Sequence, residues 1–271
     1  MKQYFSREIF LTSMRKKIFL WTIVTIVVCI FVIINSIPLE MDGRLEHLLS
    51  YMRIYHVFGF YAIFFVTVLI TIVVTSNSFA ASEVSDGTML FILNTPITRK
   101  QVIVTRLIVQ IMFITILVLL MGILMDITLR VTGAYKISEG FPIDFKVVWI
   151  YVLAMYLYSL AVGSIAFAAS CYFNSVTKAS AVVAVILLTF FFVTIFSSIY
   201  PNNQLSSIRI LSLMSFYDLE NFGEYCLDIV DSHQIIIFGL RDIIALISMA
   251  LVSIVLYLFG VVKFINKDLP I

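Results

Sequence analysis

The side chains able to do chemistry are few and unevenly placed. Only 13% of the 271 residues are Asp, Glu, Lys or Arg, and one stretch between two long apolar runs, SEVSDGTMLFILNTPITRKQVIVTR, Ser82 to Arg106, carries acids at its front and bases at its back. It has Glu83 and Asp86 at its front and Arg99, Lys100 and Arg106 at its back. Hydrolytic or transfer chemistry needs paired carboxylates, a nucleophile beside a base, or a metal cluster. No spacing here supplies one. His47, His56 and His233 lack the i, i+4 helical spacing of a zinc pair and read as interfacial or loop histidines. Cys29, Cys171 and Cys226 are scattered, giving neither a disulfide framework nor a thiolate site. None of the ten glycines is followed by Lys, so the phosphate-cradling Walker loop is absent. The chain is expected to be no enzyme and to hold no cofactor. If it moves something uphill, another chain supplies the energy.

A second polar group, Asp218, Glu220, Glu224, Asp228, Asp231 and Asp242, is a conceivable cation site. It has no Asp/Asn/Gly loop with calcium spacing, so scattered acids on a solvated face are the better reading.

What must position these groups is a membrane bundle. The chain is 62% hydrophobic, against roughly 45–50% in soluble domains. A bilayer core about 30 Å thick needs about 20 mainly apolar residues per helix, and six stretches qualify: 18–37, 54–76, 102–125, 147–170, 180–200 and 243–262. They are long and continuously apolar, not short and alternating as in a barrel. An all-α polytopic fold follows. Within these spans Arg106 is the only Asp, Glu, Lys or Arg, and the expectation is that it snorkels to the near interface. The carboxylates or histidines that ion-coupled transporters use as relays are absent from mid-membrane positions, His56 lying near the outer end of span two.

Placing both termini in the cytoplasm puts eleven of the 18 Lys and Arg inside, the direction of the positive-inside rule. Trp21 then falls near an inner span end, with Trp149, Tyr151 and Tyr200 near outer ends. Residues 201–242 form the longest outer segment, and 1–17 read as a cytoplasmic amphipathic helix, Phe5, Ile9 and Met14 alternating with Arg7, Arg15 and Lys16.

Locally, the stretch between spans two and three holds two helix starts. Ser85 or Asp86 can cap a short helix over Gly87 to Asn94. Thr95, before Pro96, is pushed to extended geometry and ends it. Thr98-x-x-Gln101 is a capping box, with Ile97 and Val102 placed as a hydrophobic staple. The short helix is about 12 Å long at 1.5 Å per residue and carries Met89, Leu90, Phe91, Ile92 and Leu93. That surface must be buried in lipid, in its own bundle or in a groove on a partner. Arg99 and Lys100 oppose the helix macrodipole, which suggests that anionic lipid or acidic partner groups favour them.

This stretch resembles the cytoplasmic motif of ABC-2 type permeases, approximately E-R-E-x-G-T-L-E-x-L-L-x-x-P-[IV]-[ST]-R followed by a helix and a Gly-Lys pair. The match falls on Glu83, Gly87, Thr88, Leu93, Pro96, Ile97, Thr98 and Arg99, with Arg106 in place of the lysine. Val84, Ser85, Leu90 and Thr105 depart from it. Phe264, Lys267 and Asp268 resemble the F-x-x-[KR]-D close of the same family. The resemblance implies one ABC-2-like transmembrane domain over 1–271, in a bacterial cell membrane. It further implies a coupling helix docked on a separate ABC ATP-binding subunit, in two copies, and a second permease subunit, identical or paralogous. ATP and Mg would be bound by that partner. Its ATPase-coupling residues would be Glu83, Gly87, Thr88, Leu93, Pro96 and Arg99.

Inside the bundle, Thr67, Thr71 and Thr75 recur every four residues as a candidate wall of a substrate path, or as hydroxyls bonded to their own helix. Ser159, Gly163, Ser164 and Ala168 have small-xxx-small spacing and read as packing. Uncharged spans favour export of an amphipathic lipid, peptide or drug and give no reason to expect nucleic acid. A non-transporting scaffold, immunity or sensor subunit is the alternative.

Overall fold

A computed structural model describes residues 5–36, 70, 72–77, 79–89, 97–131, 145–199, 229–230, 233–234 and 240–267. Its helices are α1 (Arg7–Ser36), α2 (Ala81–Ser85), α3 (Arg99–Val131), α4 (Phe145–Tyr172), α5 (Val176–Ile199) and α6 (Leu240–Ile265), and 72–77 are helical as well. Among the described residues the core is built from helices, as the long, continuously apolar runs predict. One small exception to the all-α expectation is an antiparallel pair, β1 (Ile229–Val230) with β2 (His233–Gln234), joined Ile229 to Gln234 and Val230 to His233. The rest of the 201–239 stretch, and Thr67 and Thr71 of the threonine stripe, lie outside the described residues.

Among the described residues three helices are long and apolar enough to cross a membrane: Arg99–Ile127, Val152–Tyr172 and Leu246–Ile265. This is the pattern of a membrane protein. Burial ranks them: 72% of the α4 window is inside the protein, against 44% for α3 and 22% for α6. Thus α4 is the central rod.

Small residues explain how α4 takes that position. Ser159, Ser164 and Ala168 are buried, and a Cβ on Gly260 of α6 would lie 3.2 Å from the Ala168 backbone. The α4–α6 contact therefore depends on small residues on both sides, as the small-xxx-small spacing predicts. On the other flank α1 packs on α3, with Trp21 stacked on Phe113 at 4.9 Å between centroids. Trp21 is 3% exposed. It belongs to the core rather than to the interfacial belt assigned from its sequence position.

The amino-terminal helix also differs from the sequence reading. α1 is one unbroken helix from Arg7 to Ser36, so the basic stretch and the first apolar run share a rod. Ile9 and Ser13 are buried against protein, and the Ser6 backbone N–H donates to Thr105 Oγ1 at 3.1 Å. Polar tethering to α3, which a helical-wheel pattern does not encode, holds this end on the bundle.

Candidate functional site

The site is the elbow between the helical segment 72–77 and α3. The chain leaves 72–77, turns at residues 79–80 with Phe79 N–H donating to Ser76 O at 3.1 Å, and enters α2. Three helices pin this turn. From α4, Ser170 Oγ accepts the Ala81 N–H at 3.1 Å and donates to Asn77 O at 3.4 Å. From α5, Ser180 Oγ accepts from Asn77 Nδ2 at 2.7 Å. From α3, Arg106 donates to the Phe79 carbonyl and to a carboxylate oxygen of Glu83.

That last contact corrects the sequence reading of Arg106. It does not snorkel: the residue is 1% exposed, and its charge is met inside the protein by Glu83, whose side chain is 15% exposed. Seven residues into α3, roughly 10 Å along the axis, the guanidinium lies beside the elbow, and a fork of donors can hold a carboxylate and a carbonyl together. Lys16 reaches the same carboxylate from α1 at 4.0 Å. Lys17 lies over the Phe79 ring at 5.8 Å. Glu83 thus serves three helices, since it sits on α2 and meets α1 and α3.

After α2 the chain reverses through Asp86 and Gly87. The Asp86 N–H donates to Ser82 O at 2.8 Å and the Gly87 N–H to Val84 O at 3.3 Å. Gly87 has φ +68°, the left-handed region that glycine enters without steric cost. The turn role expected of Gly87 is present. Thr88 Oγ1 donates back to Glu83 O at 3.3 Å, closing the loop on itself. Asp86 is the C-cap of α2 and the Ser85 hydroxyl donates to Ser82 O at 2.8 Å, so both bond toward the preceding helix, which the sequence reading did not contain. α2 has five residues and no side-chain cap bond; tertiary tethers rather than a local signal hold it.

Met89, first of the apolar residues, is 2% exposed and packs with Val102, Ile103 and Phe264. Of the burial options open to this segment, Met89 takes its own bundle. Leu93 and Pro96 lie outside the described residues.

The exit from the elbow matches the capping box. Thr98 N–H donates to Gln101 Oε1 at 2.9 Å and Gln101 N–H to Thr98 Oγ1 at 3.3 Å, and Ile97 packs in the same cluster as buried Val102. Arg99 has a partner within the chain that the sequence did not suggest. Its Nη1 donates to the Lys267 carbonyl at 2.8 Å, so a base that opposes its own helix dipole is placed at the carboxyl end of α6, where positive charge is favoured. Lys267 Nζ in turn donates to Cys171 O at 3.0 Å and Phe173 O at 2.9 Å, capping α4. Phe264 is fully buried. The two stretches that carry the family resemblance therefore meet in space.

Thr75 is buried, and its hydroxyl donates to Ile72 O at 3.1 Å, in line with the helix-bonded reading of the stripe. Ser170, Ser180, Asn77 and the Lys267 cap were missed in the sequence because each acts across about 90 residues or more. Among the described residues no group of His, Cys, Asp or Glu could hold a metal ion. Comparison with family models, curated proteins and solved structures gives no match.

Proposed function

We propose that this chain is the permease subunit of an ABC-2 type exporter in a bacterial cell membrane, with six spans and both termini in the cytoplasm. It is driven by a separate ABC ATP-binding subunit in two copies and paired with a second permease subunit. The observation that carries the reading is the Glu83–Arg106 pair, which ties the turn at Gly87 to the core of a membrane-length helix. A loop that only connected two spans would have no need to fix a charge inside the bundle.

In this reading the partner holds ATP and Mg and supplies the energy. Closure of the ATP-binding subunits pushes on the segment around Gly87 to Pro96. Gly87 and Thr88 shape the receiving turn, Leu93 fills the partner's groove and Pro96 stiffens the exit. Glu83 passes the displacement to α3 through Arg106, and Arg99 passes it to α6 through Lys267. Thr67 and Thr71, on the stripe that ends at the buried, helix-bonded Thr75, would be the weakly polar face past which an amphipathic lipid, peptide or drug travels.

Pulldown of the candidate ATPase with Gly87→Asp and Leu93→Glu tests the docking. Both variants are expected to lose ATPase binding and transport, and undiminished binding with coupled flux in both overturns the assignment. Flux driven by ATP in proteoliposomes separates an exporter from a scaffold, immunity or sensor subunit that uses the same dock.

A further inference from the structure

Lys263 stands exposed in the last turn of α6, its Nζ 5.8 Å from two ring centroids, that of Phe259 one turn back on the same helix and that of Tyr172 at the end of α4. Tyr172 in turn meets Phe173 edge-on at 5.0 Å between centroids. The rings that flank the ammonium do not close over it, since Tyr172 is 55% and Phe259 44% exposed. Among the described residues no carboxylate is paired with Lys263, whereas the nearby bases Arg99 and Lys267 are engaged by helix-end carbonyls. Toward the middle of α6, Val252, Val255 and Phe259 are exposed at i, i+3 and i+7, one side of a helix that Lys263 continues at i+11. The rise from Val252 to Lys263 is about 16 Å at 1.5 Å per residue, close to the roughly 15 Å hydrocarbon depth of a single leaflet, half of a core about 30 Å thick.

We infer that this corner of α4 and α6 is a binding site for an anionic phospholipid, its phosphate on Lys263 and an acyl chain along Val252, Val255 and Phe259. A lysine and a tyrosine at the end of an apolar helix sit at headgroup level. Attraction to the two ring faces holds the ammonium in place, and its three N–H donors suit phosphate oxygens. The described ends of α3, α4, α5 and α6 at this face carry Arg99, Lys100, Lys178, Lys263 and Lys267 and no acid, so nothing there receives the cationic half of a zwitterionic headgroup. A second copy of the chain fits less well. A two-fold pair brings the same patch of both subunits together, which sets Lys263 against its own copy at equal depth. A water-soluble partner could reach the lysine, but not a stripe that descends through a leaflet. The inference stands whether or not the chain is an exporter subunit.

Native mass spectrometry of the full-length chain in detergent, mixed with phosphatidylglycerol and phosphatidylcholine of matched acyl chains, tests it. The wild type is expected to retain phosphatidylglycerol over phosphatidylcholine. Lys263→Gln should cut the phosphatidylglycerol adducts several-fold and leave phosphatidylcholine unchanged, while Lys263→Arg keeps most of the preference. Lys178→Gln removes an exposed base of the same face and should have little effect; a drop equal to that of Lys263→Gln would assign the binding to diffuse surface charge and overturn the site. Equal retention of the two lipids by the wild type, or unchanged adducts in Lys263→Gln, overturns it as well. Glycerol 3-phosphate, which has the phosphate and no chains, should fail to displace the lipid, and displacement refutes the part given to the apolar stripe. Loss of ATPase capture in Lys263→Gln with lipid adducts intact would hand the lysine to a protein partner instead.

Discussion

Arg99 and Lys267, 168 positions apart in the chain, are joined by a hydrogen bond of 2.8 Å from the guanidinium to the lysine carbonyl. The Lys267 ammonium continues the path to two carbonyls at the end of α4. Three helix ends, those of α3, α4 and α6, are thus locked by two basic side chains. Neither base needs an acid here, because helix carboxyl ends supply the negative pole.

Lys267→Ala is expected to cost about 1 kcal/mol, the net worth of an ordinary hydrogen bond, and to lower the unfolding midpoint in detergent by about 2–4 °C. Lys267→Arg, which keeps charge and donors, should recover most of the loss. If Ala and Arg behave alike, the donors at 267 do not hold the joint.

Glu83 and Arg106 make a stronger case. Breaking a buried pair on one side strands a charge and costs roughly 3–5 kcal/mol, so Arg106→Met and Glu83→Gln should each destabilise severely, though the partial exposure of Glu83 moderates its share. The double variant should be more stable than the worse single one, because no charge is left unmet. A double-mutant cycle from thermal unfolding reads this directly, and strict additivity would show that the two groups are energetically independent.

This pair shows where sequence reading succeeded and where it failed. The capping box at Thr98 and Gln101, the glycine turn at 87 and the small face of α4 involve neighbours a few residues apart, so type and spacing specify them. Arg106 was read as snorkelling because a lone base near a span end has that option. What removes the option is Glu83, brought back by a turn that Ser170 and Ser180 hold from helices later in the chain. Trp21 was misplaced for the same reason: its stack on Phe113 is a property of the α1–α3 contact.

Half-burial pushes the Lys267 ammonium below the ordinary lysine value of 10.5, with Cys171 acting in the opposite sense. Between the depressed folded value and 10.5, the unfolded chain holds a proton that the folded chain has shed. Stability attributable to this group therefore rises with pH across that window. The midpoint gap between the wild type and Lys267→Gln should widen as pH climbs through the window just below 10.5. A flat or shrinking gap would mean that burial does not govern the charge.

Gly87 allows folding and docking to be tested apart. Its φ of +68° penalises a Cβ by roughly 1–2 kcal/mol, but nothing lies within 4 Å of where that Cβ would project. The cost is backbone strain alone. Asn enters this region more readily than other non-glycine residues, so Gly87→Asn should unfold close to the wild type while Gly87→Val falls several degrees below it. The Asn side chain nevertheless projects into the open space where the proposed ATPase groove would close on the turn. Gly87→Asn is therefore expected to keep its fold, by unfolding midpoint, and to bind the ATPase at least several-fold more weakly in pulldown. Full binding by a folded Gly87→Asn would place the partner's contact somewhere other than this turn.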